Sequence, residues 1–159
     1  MLKPYTSDDF KLLEKWVTDE ELLLQFAGTD FSYPMTTQQI ATYQSSYPER
    51  RFYVAYEHEV PFAFGEIILQ DSGIPKLARI LIGESLLRGK GLGGKFIKSL
   101  LAESARLYNT KTVELLVWDQ NIAAIKCYER AGFIYSPEIY TVLIWKDKKY
   151  NIHKMTFYF

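Results

Sequence analysis

Arg88-Gly89-Lys90-Gly91-Leu92-Gly93-Gly94 is the stretch on which the reading of this 159-residue chain turns. Four glycines fall within six residues, directly before an amphipathic segment. In that segment Leu92, Phe96, Ile97, Leu100, Leu101, Ala105 and Tyr108 share one stripe, and Lys95, Lys98, Glu103 and Arg106 lie off it. Glycine weakens a helix, so its concentration at a helix start calls for another reason. A helix N-terminus leaves N–H groups unpaired and carries partial positive charge. Glycines let such a backbone come close to a phosphate, at positive φ where needed. Arg88, Lys90 and Lys95 add local positive charge. The stretch therefore suits a pyrophosphate.

Two nucleotide motifs compete for these glycines. A Walker loop fails twice: Gly83 precedes Gly89 by one residue too many, and Gly91 stands where Ser or Thr should bind magnesium. The dinucleotide pattern G-x-G-x-x-G does fit Gly89, Gly91 and Gly94, with Asp119 as a candidate ribose acid. That motif alone carries little weight, and only about 65 residues follow it. The segments before it are short strands rather than half of a parallel sheet.

Working outward, Phe52–Tyr56, Phe62–Gln70 and Leu77–Ile82 read as three strands. Their connections, Glu57–Val60 and Asp71–Pro75, are too short for helical crossovers, so an antiparallel meander is expected. Upstream, Thr6-Ser7-Asp8-Asp9 reads as an N-cap and acidic first turn. Phe10, Leu13, Trp16 and Val17 follow at helical spacing, and Asp19–Phe26 continues the pattern. The segment 28–34 is a loop with two exposed-looking aromatics, Phe31 and Tyr33. Thr36 and Gln39 form a capping box for a helix reaching about Tyr47. Downstream, Thr112–Trp118 is a strand, Asn121 opens a short helix to Arg130, and Gly132 stops it. Ile139–Trp145 and His153–Phe159 close the chain as a hairpin around Lys146–Lys149. The mixed order argues an α+β class.

The totals bound the rest. A chain of this length suits one domain spanning 1–159. Apolar residues make up 48% and aromatics 16%, well beyond what a disordered chain carries. Nineteen basic against 19 acidic residues give no general attraction to nucleic acid or membrane. One cysteine excludes an intramolecular disulfide and argues against a cysteine metal cluster. His58 and His153 lack metal-ligand spacing, so no metal is expected. The polar start MLKPYTSDDF does not read as a signal peptide, and no run nears the ~20 apolar residues of a membrane span. A cytoplasmic protein, monomer or homodimer, is expected.

Two motifs then converge. Arg88-Gly-Lys-Gly-Leu-Gly93 resembles the R-x-x-G-x-G loop of the GNAT acetyltransferase superfamily. Asn121-Ile-Ala-Ala-Ile-Lys-Cys-Tyr128-Glu-Arg-Ala-Gly132-Phe133 resembles that family's N-x-x-A-x-x-x-Y-x-x-x-G-F segment. They stand in family order and cover about residues 77–134. The phrase from Phe26 to Thr36 loosely resembles the ribosomal-protein N-acetyltransferase branch. The resemblance implies a mixed, mostly antiparallel sheet whose central parallel strands, 77–83 and 112–118, splay apart. It implies acetyl-coenzyme A as cosubstrate and a primary amine as acceptor, with direct transfer in a ternary complex. Ile82 and Gly83 would pair with the pantetheine arm, an amide there would meet the thioester oxygen, and Arg88, Gly89, Lys90, Gly91, Leu92, Gly93 and Gly94 would hold the pyrophosphate. Asn121 would cap its helix and touch the pantetheine. Tyr128 would aim its hydroxyl at the cofactor sulfur and donate to the leaving thiolate.

An alkyl ammonium, pKa ~10.4, must lose a proton before it attacks. Glu84, after the third strand, and Glu66, inside the apolar run Phe62–Leu69, are the candidate bases. The plainer alternatives are a solvated loop acid for Glu84 and an outward-facing strand residue for Glu66. Cys127 points about 100° away from Tyr128 on a helix and reads as a buried structural thiol. Phe26, Phe31 and Tyr33 are candidates for an acceptor pocket, or for plain packing. Two rival classes stay open: a non-catalytic acyl-coenzyme A sensor, and a dinucleotide-binding redox protein.

Overall fold

The structure, a computed structural model, describes residues 1–84 and 89–159. Its elements run β1 (Leu2–Pro4), a 3₁₀ turn (Ser7–Asp9), α1 (Phe10–Trp16), α2 (Glu20–Ala27), α3 (Thr37–Ser46), β2 (Arg51–Glu57), β3 (Val60–Leu69) and β4 (Pro75–Ile82). Then follow α4 (Leu92–Tyr108), β5 (Thr112–Trp118), α5 (Ile122–Arg130), β6 (Ile134–Trp145) and β7 (Lys148–Tyr158). The strands form a mixed seven-stranded sheet in the order β1-β2-β3-β4-β5-β7-β6. The chain divides into two compact units, Met1–Ile68 with Ala78–Gly93, and Leu69–Leu77 with Gly94–Phe159.

In the first unit β2 pairs antiparallel with β3, as their short connection requires, and on its other side antiparallel with β1. Helices α1, α2 and α3 supply Phe10, Leu13, Trp16, Leu23, Phe26, Ile40 and Tyr43 to a core completed by Phe52, Val54, Phe64 and Leu81. The expected continuous pattern from Phe10 to Phe26 is broken. Val17 is extended (φ −90°, ψ 94°), and Asp19 starts a new helix by accepting from the Leu22 amide at 2.8 Å. An acid at that position serves better as an N-cap than as a mid-helix residue. The capping box at Thr36 is half made: Thr36 accepts from the Gln39 amide, but Gln39 turns outward to Ser32 and Pro34. Its side chain thereby pins the loop before the helix.

In the second unit the parallel pair is β4 with β5, Lys76 opposite Glu114 and Leu77 opposite Leu115. Among the described residues the β1–β2, β2–β3, β5–β7 and β6–β7 pairs are antiparallel, unlike the parallel half-sheet of a dinucleotide-binding fold. β5 alternates cleanly, with Val113, Leu115 and Val117 buried. Helix α4 buries Phe96, Ile97, Leu100 and Leu101, as its stripe predicts. It also buries Ser104, whose hydroxyl donates to the Leu100 carbonyl at 2.8 Å and so needs no other partner. The terminal hairpin is longer than expected on both strands. Lys146 and Asp147 both take positive φ (46° and 62°), the two-residue turn that matches strand twist. No helix of the described residues is long and apolar enough to cross a membrane.

Candidate active site

The glycine loop emerges as a built feature rather than a frayed helix start. Gly89 (φ +77°) and Gly91 (φ +75°) hold conformations that other residues adopt only with strain, and both lie exposed. A β-carbon added at either, or at Gly94, would meet no atom within 4 Å. The protein's own packing therefore does not demand these glycines; the open surface they leave fits a ligand that approaches the backbone closely. Lys90 is exposed between them, and α4 starts at Leu92. Arg88 lies outside the described residues.

Upstream of the loop, Gly83 is a glycine for a different reason. A β-carbon there would fall 2.4 Å from Trp16 Cε2, so the indole packs flat against this backbone. Its amide donates to the Phe62 carbonyl at 2.7 Å. β3 thus holds the Gly83 N–H. Glu84 next to it is half-exposed and ion-paired with the exposed Lys15. It is thus neither buried nor purely solvated.

Glu66 departs furthest from its plain alternative. It does not face outward; its side chain is fully buried. Tyr43 donates to Oε1 at 2.7 Å and Arg79 pairs with Oε2. Arg50 donates to the Tyr43 oxygen at 2.6 Å, and the second nitrogen of Arg79 reaches Asp30. The Arg79 guanidinium also lies 4.6 Å from the Tyr43 ring centroid. Burial pushes the Glu66 carboxyl up, against the pull of Arg79 and Tyr43. Arg79 takes φ +48° within β4, costly for a residue with a β-carbon. Anchoring its guanidinium between a buried acid and Asp30 on the 28–34 loop offsets that cost. This network was not legible beforehand. The one available signal was an acid within an apolar strand, which must be paired or used.

The loop aromatics divide. Phe31 is 6% exposed and Phe26 7%, so both belong to the core. Phe31 was expected to be exposed; its ring instead packs edge-on against Tyr43 at 5.3 Å. Tyr33 is exposed as expected, its hydroxyl donating to the Thr18 carbonyl at 3.0 Å.

In the second unit Asn121 caps α5, its side chain accepting from the Ala124 amide at 3.3 Å. Tyr128, two turns on, is 8% exposed. Burial raises its phenol above the usual tyrosine range, which keeps it protonated. Cys127 is half-buried rather than buried, and burial pushes its thiol up, away from the reactive thiolate. His153 is buried in β7, its Nδ1 3.0 Å from the Ser136 carbonyl. Among the described residues no three His, Cys, Asp or Glu side chains are grouped to hold a metal. Asp119, the candidate ribose acid, is bound to Asn151 through its amide (3.0 Å) and side chain (3.4 Å).

The acetyltransferase (GNAT) family model matches residues 12–133, and the chain belongs to that family. It is 41% identical over 63 residues to the spermine/spermidine N(1)-acetyltransferase of Bacillus subtilis strain 168, covering 40% of this chain and 41% of that protein. It is 42% identical over 52 residues to a probable spermine N(1)-acetyltransferase of Bacillus subtilis subsp. natto, covering 33% and 34%. The matched stretch thus spans well under half the length of these curated relatives. Among solved structures, the spermidine N-acetyltransferase of Vibrio cholerae in complex with CoA and spermine superposes with a TM-score of 0.80 at 15% identity, covering 99% of this chain and 94% of that one. The aminoglycoside acetyltransferase AAC(6')-Ib in complex with coenzyme A gives 0.72 at 19% identity, covering 96% and 92%.

Proposed function

We propose that this protein moves an acetyl group from acetyl-coenzyme A to a primary amine, directly, with both substrates bound. The observation that carries the reading is the pair of open, positive-φ glycines beside the start of α4. Acetyl-coenzyme A brings an activated thioester. The amides of Gly89–Gly94, with Lys90 and Arg88, bind its pyrophosphate; Ile82, the Gly83 carbonyl and Asn121 orient its arm. Tyr128 holds a proton on its phenol for the sulfur. Glu84, half-exposed and in contact with solvent, accepts the proton that the ammonium must lose. Glu66, with both oxygens engaged and no exposure, is a positioning residue rather than a base. The matched segment runs through both units, which supports one GNAT domain over 1–159. A single, half-buried cysteine suits the cytoplasm.

For the acceptor, spermine and spermidine come first, on the names of the two Bacillus relatives. Aminoglycosides come second, on structural likeness alone.

Acetyl-coenzyme A at 100 times its dissociation constant should stabilise the protein by ~2.7 kcal/mol, a rise in Tm of about 5–10 °C. NAD and NADP should give none. The reverse result would return the glycines to a dinucleotide. Gly91→Glu should abolish the acetyl-coenzyme A shift while the unliganded Tm falls by only a few degrees. The new side chain enters open space, but it adds strain and negative charge where phosphate is held. A Gly91→Glu variant that still shifts fully would remove the loop from the binding site. Turnover of spermine or spermidine, followed by release of free thiol, then separates an enzyme from a sensor.

A further inference from the structure

β6 is an edge strand, with β7 as its one neighbour in the sheet among the described residues. Its two halves differ in how that edge is guarded. Upstream stand Pro137 and two irregularities, between Tyr135 and Ile139 and between Ile139 and Thr141. Proline and bulges are standard protection against edge-to-edge pairing. Downstream, Thr141-Val-Leu-Ile-Trp145 is paired regularly on β7 from Thr141 opposite Ile152 to Trp145 opposite Lys148. This half carries no charge, no proline and no bulge, and it exposes Val142 (39%) and Ile144 (73%).

We propose that this edge pairs antiparallel with the same edge of a second copy, about a two-fold axis through Leu143. The five regular residues fit that axis. Thr141 lies opposite the partner's Trp145, Val142 opposite the partner's Ile144, and Leu143 opposite itself. Alternation puts Val142 and Ile144 on one face, so the pairing makes a four-residue apolar row from side chains now in water. Charge selects the antiparallel sense and a copy of this chain as occupant. The exposed Glu138 lies at one end of the segment, and Lys146, Lys148 and Lys149 cluster at the other around Asp147. Antiparallel pairing brings each acid end beside the other copy's lysine end; a parallel pairing would set the lysines together. The inference does not depend on the acetyl-transfer reading.

Sedimentation equilibrium from ~1 to ~100 μM, the range of weak to moderate association, should show a dimer. Ile144→Glu should give a monomer with unchanged circular dichroism and a Tm within a few degrees, because this side chain is mostly in solvent. In a Cys127→Ser background, Leu143→Cys should form a covalent dimer under mild oxidation, since directly opposed residues have Cα atoms ~4.5–5.5 Å apart, within disulfide range. Val142→Cys should not, because its own copy lies two positions away; Val142→Cys mixed with Ile144→Cys should. A monomer at every concentration would overturn the proposal in favour of a different protein on this edge. So would a dimer that survives Ile144→Glu, or one that cross-links through Val142→Cys and not Leu143→Cys.

Discussion

Arg79→Leu should lower the unfolding free energy by about 3–5 kcal/mol, the cost of leaving a buried charge without its partner. Urea titration measures it, and the slope should stay near that of the parent. The size follows from burial: Glu66 is 0% exposed. The pH dependence is specific. Burial already raises the Glu66 carboxyl above its ordinary value of 4.5, with Arg79 opposing. Loss of Arg79 raises it further. A carboxyl raised in the folded state favours folding below its unfolded pKa and loses that contribution as pH rises through the folded pKa. The deficit of Arg79→Leu relative to the parent should therefore be smaller near pH 5 than near pH 8. Adding Glu66→Gln should recover part of the loss and flatten the difference with pH. A deficit that is equal at both pH values would show that Arg79 matters through packing against Tyr43 and Phe31 and not through Glu66.

The same network marks where sequence reasoning stops. Periodic and local signals were legible: β5 from alternation at Val113, Leu115 and Val117, α4 from its stripe, the Asn121 cap, and the hairpin turn. Each depends on residues close in sequence, so its physics is contained in the string. Glu66 announced a partner but did not identify it. Its ligands come from α3 and β4, and Asp30 and Arg79 meet across 49 positions. Nothing local selects Arg79 from the other basic residues. Phe31 fails for a related reason: a loop aromatic looks exposed until the helices that cover it are placed. β1 is three residues long and has no period to detect. The bond from the Gly83 amide to the Phe62 carbonyl is likewise set by the β3–β4 pairing and not by the residue. Of the candidate site, the residue types at Gly89, Gly91, Asn121 and Tyr128 and the Asn121 cap were legible; how open the glycines lie and how deeply Tyr128 is buried were not.

Tyr128→Phe should reduce kcat by about a hundredfold, within the range for a lost general acid, while KM for acetyl-coenzyme A stays within about twofold. The argument begins with the hydroxyl. It sits on a buried ring at the end of a side chain that keeps its shape in phenylalanine, so the substitution removes the hydroxyl and leaves the packing in place. The variant should keep its Tm within a degree or two, and the loss can be attributed to chemistry. Burial holds the phenol protonated well past neutrality, so it offers a proton to a departing sulfur whose free thiol has a pKa of ~8.5. A donor matters more the poorer the leaving group, and this gives a sharper test than the rate alone. An aryl thioester of low thiol pKa needs no proton to leave, so Tyr128→Phe should cost it far less than it costs the alkyl thioester. An equal loss with both donors would place the hydroxyl in orientation of the arm. No loss with either would make Tyr128 a core residue packed on Phe133, with the proton supplied by water.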